Sequence, residues 1–141
     1  MMAIPDICVR RVADSNIVFC EKKARIVFLN PSRKAYDRIT VDGCVITEGN
    51  KCDYLLRSCE YDDQYFVELN GEDLNHAVAQ LESSFEKLLD NRNEVRKKAF
   101  VVSSNSGMRI NTHRQLIEKR FKKMGVDLRF FHSQSSYTLE R

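Results

Sequence analysis

Apolar positions three and four residues apart mark one clear amphipathic helix in the middle of the chain. Leu74, Ala77, Leu81, Phe85 and Leu88 follow this spacing, which places them on one face of an α-helix. An aspartate immediately precedes them, and aspartate is a residue type that often caps a helix N-terminus. We therefore predict a helix that packs this face against a core.

The last third of the chain alternates between strand and helix patterns. Residues 99–102 are apolar and predict a strand, a polar connection follows, and a second helix is predicted from Thr112 to a stop at Gly125. A final strand is predicted over residues 128–131. The residues of the second helix expected to face inward are Leu116, Phe121 and Met124.

Strand patterns dominate the first half. Residues 65–69 are almost uniformly apolar and predict a central strand, while residues 51–56 alternate in the manner of a half-buried strand. Residues 36–46 also predict a strand, with a bend at Asp42-Gly43. The first twenty residues fit a helix and a short strand about equally well. We favour a helix there, followed by a strand over residues 25–29.

This order of elements predicts an α/β (α+β) fold, with a mixed central sheet flanked by helices. The length of 141 residues predicts a single domain spanning 1–141. No apolar stretch is long enough to cross a bilayer, so we expect a cytoplasmic protein without membrane contact.

Five cysteines are present, an odd number without paired spacing, and we expect them to be free thiols. Cys52 should face the core by strand alternation.

Charge is distributed unevenly along the chain. Residues 1–91 carry a formal charge of −5, whereas residues 92–141 carry +8. Such a basic region can attract phosphate groups, although it is also compatible with an ordinary solvated helix face. The candidate nucleic-acid-binding residues are Arg109, Arg114, Lys119, Arg120, Lys122 and Lys123.

Two predicted neighbouring strands each carry an acid. Asp53 lies in the first and Glu68 in the second, and if the strands pair as a hairpin the acids converge. Side chains two residues apart share a face of a strand, which puts Lys51 with Asp53 and Asn70 with Glu68. Carboxylate and carbonyl oxygens are the ligands that Mg²⁺ prefers. The pattern is that of a phosphodiester-hydrolysis site.

The segments CDYLL and YFVELNG, followed by the capped helix, resemble the core of the PD-(D/E)XK nuclease superfamily. The resemblance covers about residues 39–90. It implies a restriction-endonuclease-like fold and a Mg²⁺- or Mn²⁺-dependent nuclease. Asp53 and Glu68 would match the motif acids, Leu69 would offer its backbone carbonyl to the metal, and Gln80 would support the site from the helix.

Asn70 stands where that superfamily usually has lysine. A neutral amide can orient water but supplies no positive charge. Either Lys51 replaces the missing lysine, or hydrolysis has been lost and binding retained. Ordinary roles also remain open: surface acids for Asp53 and Glu68, a solvated edge lysine for Lys51, and a helix-surface side chain for Gln80.

Three functions follow in order of preference. The first is a metal-dependent nuclease, expected by analogy in antiviral defence or DNA processing, which receives nucleic acid through a homo-oligomer or a larger protein partner. The second is an inactive nuclease-fold subunit that binds nucleic acid or a partner protein. The third is an inhibitor or immunity-type protein.

Overall fold

A computed structural model describes residues 2–69, 73–104 and 112–140. A short 3₁₀ turn, Asp6–Cys8, precedes the first strand. The strands of the described residues are β1 (Val9–Val12), β2 (Asn16–Glu21), β3 (Ala24–Leu29), β4 (Tyr36–Thr40), β5 (Tyr54–Ser58), β6 (Gln64–Leu69), β7 (Lys97–Ser103), β8 (Val126–His132) and β9 (Ser135–Thr138). The helices are α1 (Leu74–Leu88) and α2 (Thr112–Lys123).

The main sheet has six strands in the order β1-β4-β5-β6-β7-β8. It is antiparallel from β1 to β6 and parallel from β6 to β8. Parallel neighbours need crossover connections, which α1 and α2 provide. The prediction of a mixed sheet in an α+β protein is therefore confirmed.

The two faces of this sheet are covered differently. Both helices pack on one face, whereas a three-stranded sheet in the order β2-β3-β9 covers the other. The flanking helices share one face, because the aromatic side chains of β2 and β3 bury the second face instead. The buried aromatic residues of that second core are Phe19, Phe28, Tyr36, Tyr65 and Phe100.

The strongest sequence patterns gave correct elements. Every residue of β6 is buried, as expected for a central strand. Helix α1 begins after Asp73, whose side chain accepts a hydrogen bond from the backbone N–H of His76. In the described part of the chain, no helix has the length and apolar character needed to cross a membrane.

The predicted N-terminal helix is wrong, because residues 9–21 form β1 and β2. Ile17 and Phe19 are two residues apart and both are buried, so the period of a strand prevails over helical spacing. Leu116 is 58% exposed, contrary to expectation, and Ile117 joins Phe121 in the core instead. Strand β9 was not predicted.

Two strand boundaries also differ from the sequence prediction. β4 ends at Thr40, and residues 41–46 form a turn rather than a continued strand. β5 begins at Tyr54, so Lys51, Cys52 and Asp53 precede the strand. Strand alternation therefore does not govern the side chains of these three residues.

The cysteines differ from the expectation of free thiols. Cys8 and Cys44 form a disulfide that joins the 3₁₀ turn before β1 to the turn after β4. Cys20, Cys52 and Cys59 are free. Cys52 is fully buried in the core, as predicted, where desolvation raises the pKa of its thiol to about 12. A thiol in this state is a poor nucleophile.

Candidate functional site

The β5–β6 hairpin brings Asp53 and Glu68 together. Tyr54 and Val67 are the last pair of the antiparallel register, and Asp53 lies one residue before it, close enough to Glu68 for its charge to raise the pKa of that side chain. The backbone N–H of Asp53 donates to the carbonyl of Val67 at 3.1 Å, so the pairing continues past the end of the strand. The predicted convergence of the two acids is present in the structure.

Both carboxyl groups are buried, with Asp53 7% and Glu68 5% exposed. The Leu69 N–H donates to Oδ2 of Asp53 at 2.8 Å, which fixes that carboxyl group against β6. Oε1 of Glu68 is buried and has no hydrogen-bond partner among the described residues. An orphaned buried oxygen of this kind needs a further donor or a cation.

Burial, followed by the neighbouring charge of Asp53, raises the pKa of Glu68 to about 9. Burial also raises the pKa of Asp53, where the Leu69 N–H opposes the effect and nearby acids add to it. Ionising two neighbouring carboxyl groups at a desolvated site has a high free-energy cost. The pair is therefore suited to sharing protons or to holding a cation.

A third acid, Glu21, was missed by the sequence analysis. Its carboxyl group lies within hydrogen-bond reach of Asp53, whose pKa it helps to raise, and it also hydrogen bonds the Tyr54 hydroxyl. Glu21 is the last residue of β2. The alternation of buried and exposed residues along β2, which ends at Glu21, could have indicated this position. The prediction of an N-terminal helix obscured that alternation.

The donor set fits a hard divalent cation through two carboxylates and one carbonyl. The N–H and C=O of a strand residue project to the same edge, so the Leu69 carbonyl lies on the edge that its N–H shares with Asp53. Within residues 2–69, 73–104 and 112–140, no three His, Cys, Asp or Glu side chains form a metal-binding group. The buried carboxyl groups available to such a cation are thus a pair, with Glu21 beside it.

Lys51 lies at the rim of this acidic site. Its ammonium group donates to the Gly49 carbonyl at 3.0 Å and lies 3.9 Å from Oδ1 of Asp42. The charge of Asp42 in turn contributes to the raised pKa of Asp53 and of Glu68. The argument that Lys51 shares a strand face with Asp53 is wrong, and Asp42 links the lysine to the acids instead.

Gln80 and Ser84 position the segment that leads into Asp53. Oε1 of Gln80 accepts from the Lys51 backbone N–H at 3.0 Å, and Oγ of Ser84 accepts from the Cys52 N–H at 2.8 Å. Both side chains come from α1, one turn apart. Gln80 therefore supports the site through the backbone, and Ser84 shares this task without having been singled out by the sequence.

Two predicted residues, Asn70 and Arg109, lie outside the described residues. Two other members of the basic set are engaged in ion pairs. Arg114 lies over the Phe130 ring and 3.4 Å from a Glu118 oxygen, while Arg120 pairs with Glu82 at 2.8 Å.

The lysines of α2 lie on the exposed surface of the helix. Lys119 and Lys122 line a cavity of about 880 Å³ that also touches the first residues of β7 and β8, whereas Lys123 is outside its lining. Glu68 lies near the last residue of β6, which runs parallel to β7. The cavity and the acids are thus at opposite ends of the sheet.

Comparison with protein-family models, with curated proteins and with solved structures finds no match to this chain.

Proposed function

We propose that the protein is a divalent-metal-dependent nuclease that hydrolyses phosphodiester bonds at the Asp53–Glu68 pair. The observation that carries the proposal is the burial of two neighbouring carboxyl groups, with one Glu68 oxygen lacking a hydrogen-bond partner in the described residues. Strained acids of this kind cluster at functional sites. The proposed fold is the restriction-endonuclease-like one that the sequence resembles.

Mg²⁺ or Mn²⁺ would be held by Asp53, Glu68 and the backbone carbonyl of Leu69. The bound ion would supply neutralisation of phosphate charge and acidification of a water molecule. Leu69 donates its N–H to Asp53 and so keeps that carboxylate pointed into the site. Glu21, beside Asp53, is suited to accept a proton from water.

Gln80 acts as a positioning residue, because it holds the backbone of Lys51 two residues before Asp53. Lys51 would hold substrate phosphate or a water molecule from the rim. Asn70 would orient water by its amide. Arg114, Lys119, Lys122 and the rest of the basic set would contact the nucleic-acid backbone, with Arg114 and Arg120 first giving up their ion pairs.

A second candidate is an inactive nuclease-fold subunit that binds nucleic acid or a partner protein. The observation that favours it is the position of Lys51, whose ammonium group contacts Gly49 and Asp42 rather than the acid pair. With asparagine at position 70, the charged neighbours that act on Asp53 and Glu68 within the described residues are themselves acids, Glu21 and Asp42. Such a site would bind a metal without turnover.

The proposed setting is the cytoplasm, in antiviral defence or DNA processing, with nucleic acid delivered by a homo-oligomer or a larger protein. Cytoplasmic thiols are usually kept reduced. In that compartment the Cys8–Cys44 disulfide would form only under oxidising conditions, or would persist only if it resisted reduction by cellular thiols.

The test is cleavage of plasmid, single-stranded DNA and RNA by the full chain with Mg²⁺ or Mn²⁺. Asp53→Asn and Glu68→Gln keep the shape of each side chain and should lower the rate at least 100-fold. Asp14→Asn is the matched control, because Asp14 is exposed in the β1–β2 connection. Full cleavage by Glu68→Gln would overturn the proposal.

Asn70→Lys separates the two candidates. An active native chain should lose activity in Lys51→Met and change little in Asn70→Lys. A native chain that is silent, yet gains cleavage on Asn70→Lys, would identify the inactive subunit. For both candidates, calorimetry should detect binding of Mn²⁺ to the native chain, and this binding should be lost in Asp53→Asn.

A further inference from the structure

The cavity at the start of β7 and β8 is lined mainly by basic and apolar groups. Its volume of about 880 Å³ lies in the range of small-molecule sites. Val95, Val126 and Leu128, each at most 6% exposed, form its apolar wall, and Asn93 and Gln115 add amides. Its cationic lining residues are Arg96, Lys97, Lys98, Lys119 and Lys122.

Helix α2 presents one continuous face to this cavity. Gln115, Glu118, Lys119 and Lys122 are spaced by three, one and three residues, which is the spacing of a single helical stripe. Ile117 and Phe121 of the same helix are buried in the core. The polar stripe therefore lines the cavity while the apolar stripe anchors the helix.

The two acidic side chains of the lining are already neutralised. Glu118 is 3.4 Å from the Arg114 guanidinium. Asp127 pairs with Lys98 at 3.2 Å and with Arg129 at 3.0 Å, and these partners hold its pKa below the usual range against the opposing effect of burial. The remaining cations thus determine the charge that the cavity presents.

Lys97 is held rigidly at one wall. Its ammonium group donates to the carbonyl oxygens of Asp90 at 2.9 Å and Arg92 at 3.1 Å, and its side chain packs against Gly125. An ammonium group has three donors, so one remains after these two bonds. Its position is fixed before any ligand arrives, which lowers the entropic cost of binding.

We propose that this cavity binds a mononucleotide, with phosphate on Lys97, Lys119 and Lys122 and the base on the apolar wall. The volume suits one nucleotide rather than a strand, and the charge suits phosphate. Lys97 pairs in register with Gln64, four residues before Glu68 along β6. At about 3.3 Å per residue this separates the cavity from the acids by about 13 Å. The site is therefore spatially separate from the Asp53–Glu68 pair, and it shares Lys119 and Lys122 with the basic set proposed to contact nucleic acid.

The test is calorimetric titration of the full chain with AMP, ATP, inorganic phosphate and adenosine, in EDTA. AMP and ATP should bind, with ATP tighter, inorganic phosphate should compete with them, and adenosine should bind at least tenfold more weakly. Lys119→Ala with Lys122→Ala should weaken ATP at least tenfold. Lys22→Ala with Lys23→Ala is the charge-matched control, since both lysines are exposed and outside the lining.

The nucleotide affinity should be the same in Glu68→Gln as in the native chain, which separates this site from the acidic one. Equal weakening by the control pair would overturn the proposal, because it would indicate a diffuse charge effect. Adenosine binding as tightly as AMP would overturn the phosphate assignment. Tight binding of a single-stranded oligonucleotide without measurable binding of mononucleotides would identify a nucleic-acid surface instead.

Discussion

The two ends of the parallel strands both gather like charges, but the fold supports them differently. At the start of β7, the ammonium group of Lys97 is held by two backbone carbonyls. At the end of β6, Glu68 is buried beside Asp53, and its Oε1 has no partner among the described residues. A charged group whose hydrogen bonds are made by the chain itself is a stable part of the fold. One left unsatisfied is strained, and such strain is typical of a functional site.

The largest expected effect comes from the disulfide beside the acidic end. Cys44 belongs to the turn whose Val41 and Asp42 N–H groups donate to the Asp53 carbonyl, and it is joined to Cys8 across 36 residues. Replacing both cysteines by serine should lower the free energy of unfolding by about 3 kcal/mol. Urea denaturation without reductant measures this difference.

Cys20→Ser is the control, because Cys20 is an exposed free thiol, and it should leave stability unchanged. The double variant should also bind Mn²⁺ more weakly, while nucleotide affinity at the opposite end is retained. Five reactive thiols in the unfolded native protein, counted without reductant, would show that the disulfide had not formed. Equal stability of the double variant and the native chain would contradict its anchoring role.

How far the sequence predicted this molecule depended on how strong each local pattern was. Helix α1 and strand β6 were predictable because their buried positions repeat without interruption. Residues 9–21 were not, since β2 gains its stability from pairing with β3, a tertiary contact that helical spacing cannot reveal.

The candidate site followed the same division. Asp53 immediately precedes β5 and Glu68 lies in β6, the two strands of one hairpin, so their convergence was predictable. Glu21 contacts Asp53 from the second sheet. The two residues are too far apart in sequence for a local pattern to reveal this contact. Lys51 was misplaced because β5 begins at Tyr54, after the residues that the alternation argument used.

A smaller effect should appear in the pH dependence of stability without metal. The pKa of Glu68 is raised by burial from 4.5 to about 9. The stability that its protonated form provides is complete below about pH 4.5 and is lost as the pH rises towards 9. Glu68→Gln lacks this loss, so at pH 8 in EDTA it should be more stable than the native chain.

The difference should vanish near pH 4.5, where both side chains are neutral, and should reverse at pH 8 when saturating Mn²⁺ stabilises only the native chain. Thermal denaturation across this range gives the profile. Glu86→Gln, on the exposed surface of α1, is the control and should leave the profile unchanged. Parallel profiles for Glu68→Gln and the native chain would mean that Glu68 is solvated and that the contrast between the two ends is wrong.

The smallest expected effect concerns Arg120, a basic residue that the fold already uses. Its guanidinium pairs with Glu82 of α1 at 2.8 Å, and both side chains are partly exposed. Such pairs contribute little, so Arg120→Ala should lower the free energy of unfolding by about 0.5 kcal/mol, less at high salt. A double-mutant cycle with Glu82→Ala isolates the pair. Because Arg120 is outside the cavity lining, ATP affinity should change less than twofold. A loss as large as that of the Lys119 and Lys122 variant would show that basic residues throughout α2 bind phosphate, so that the cationic end would be an extended surface.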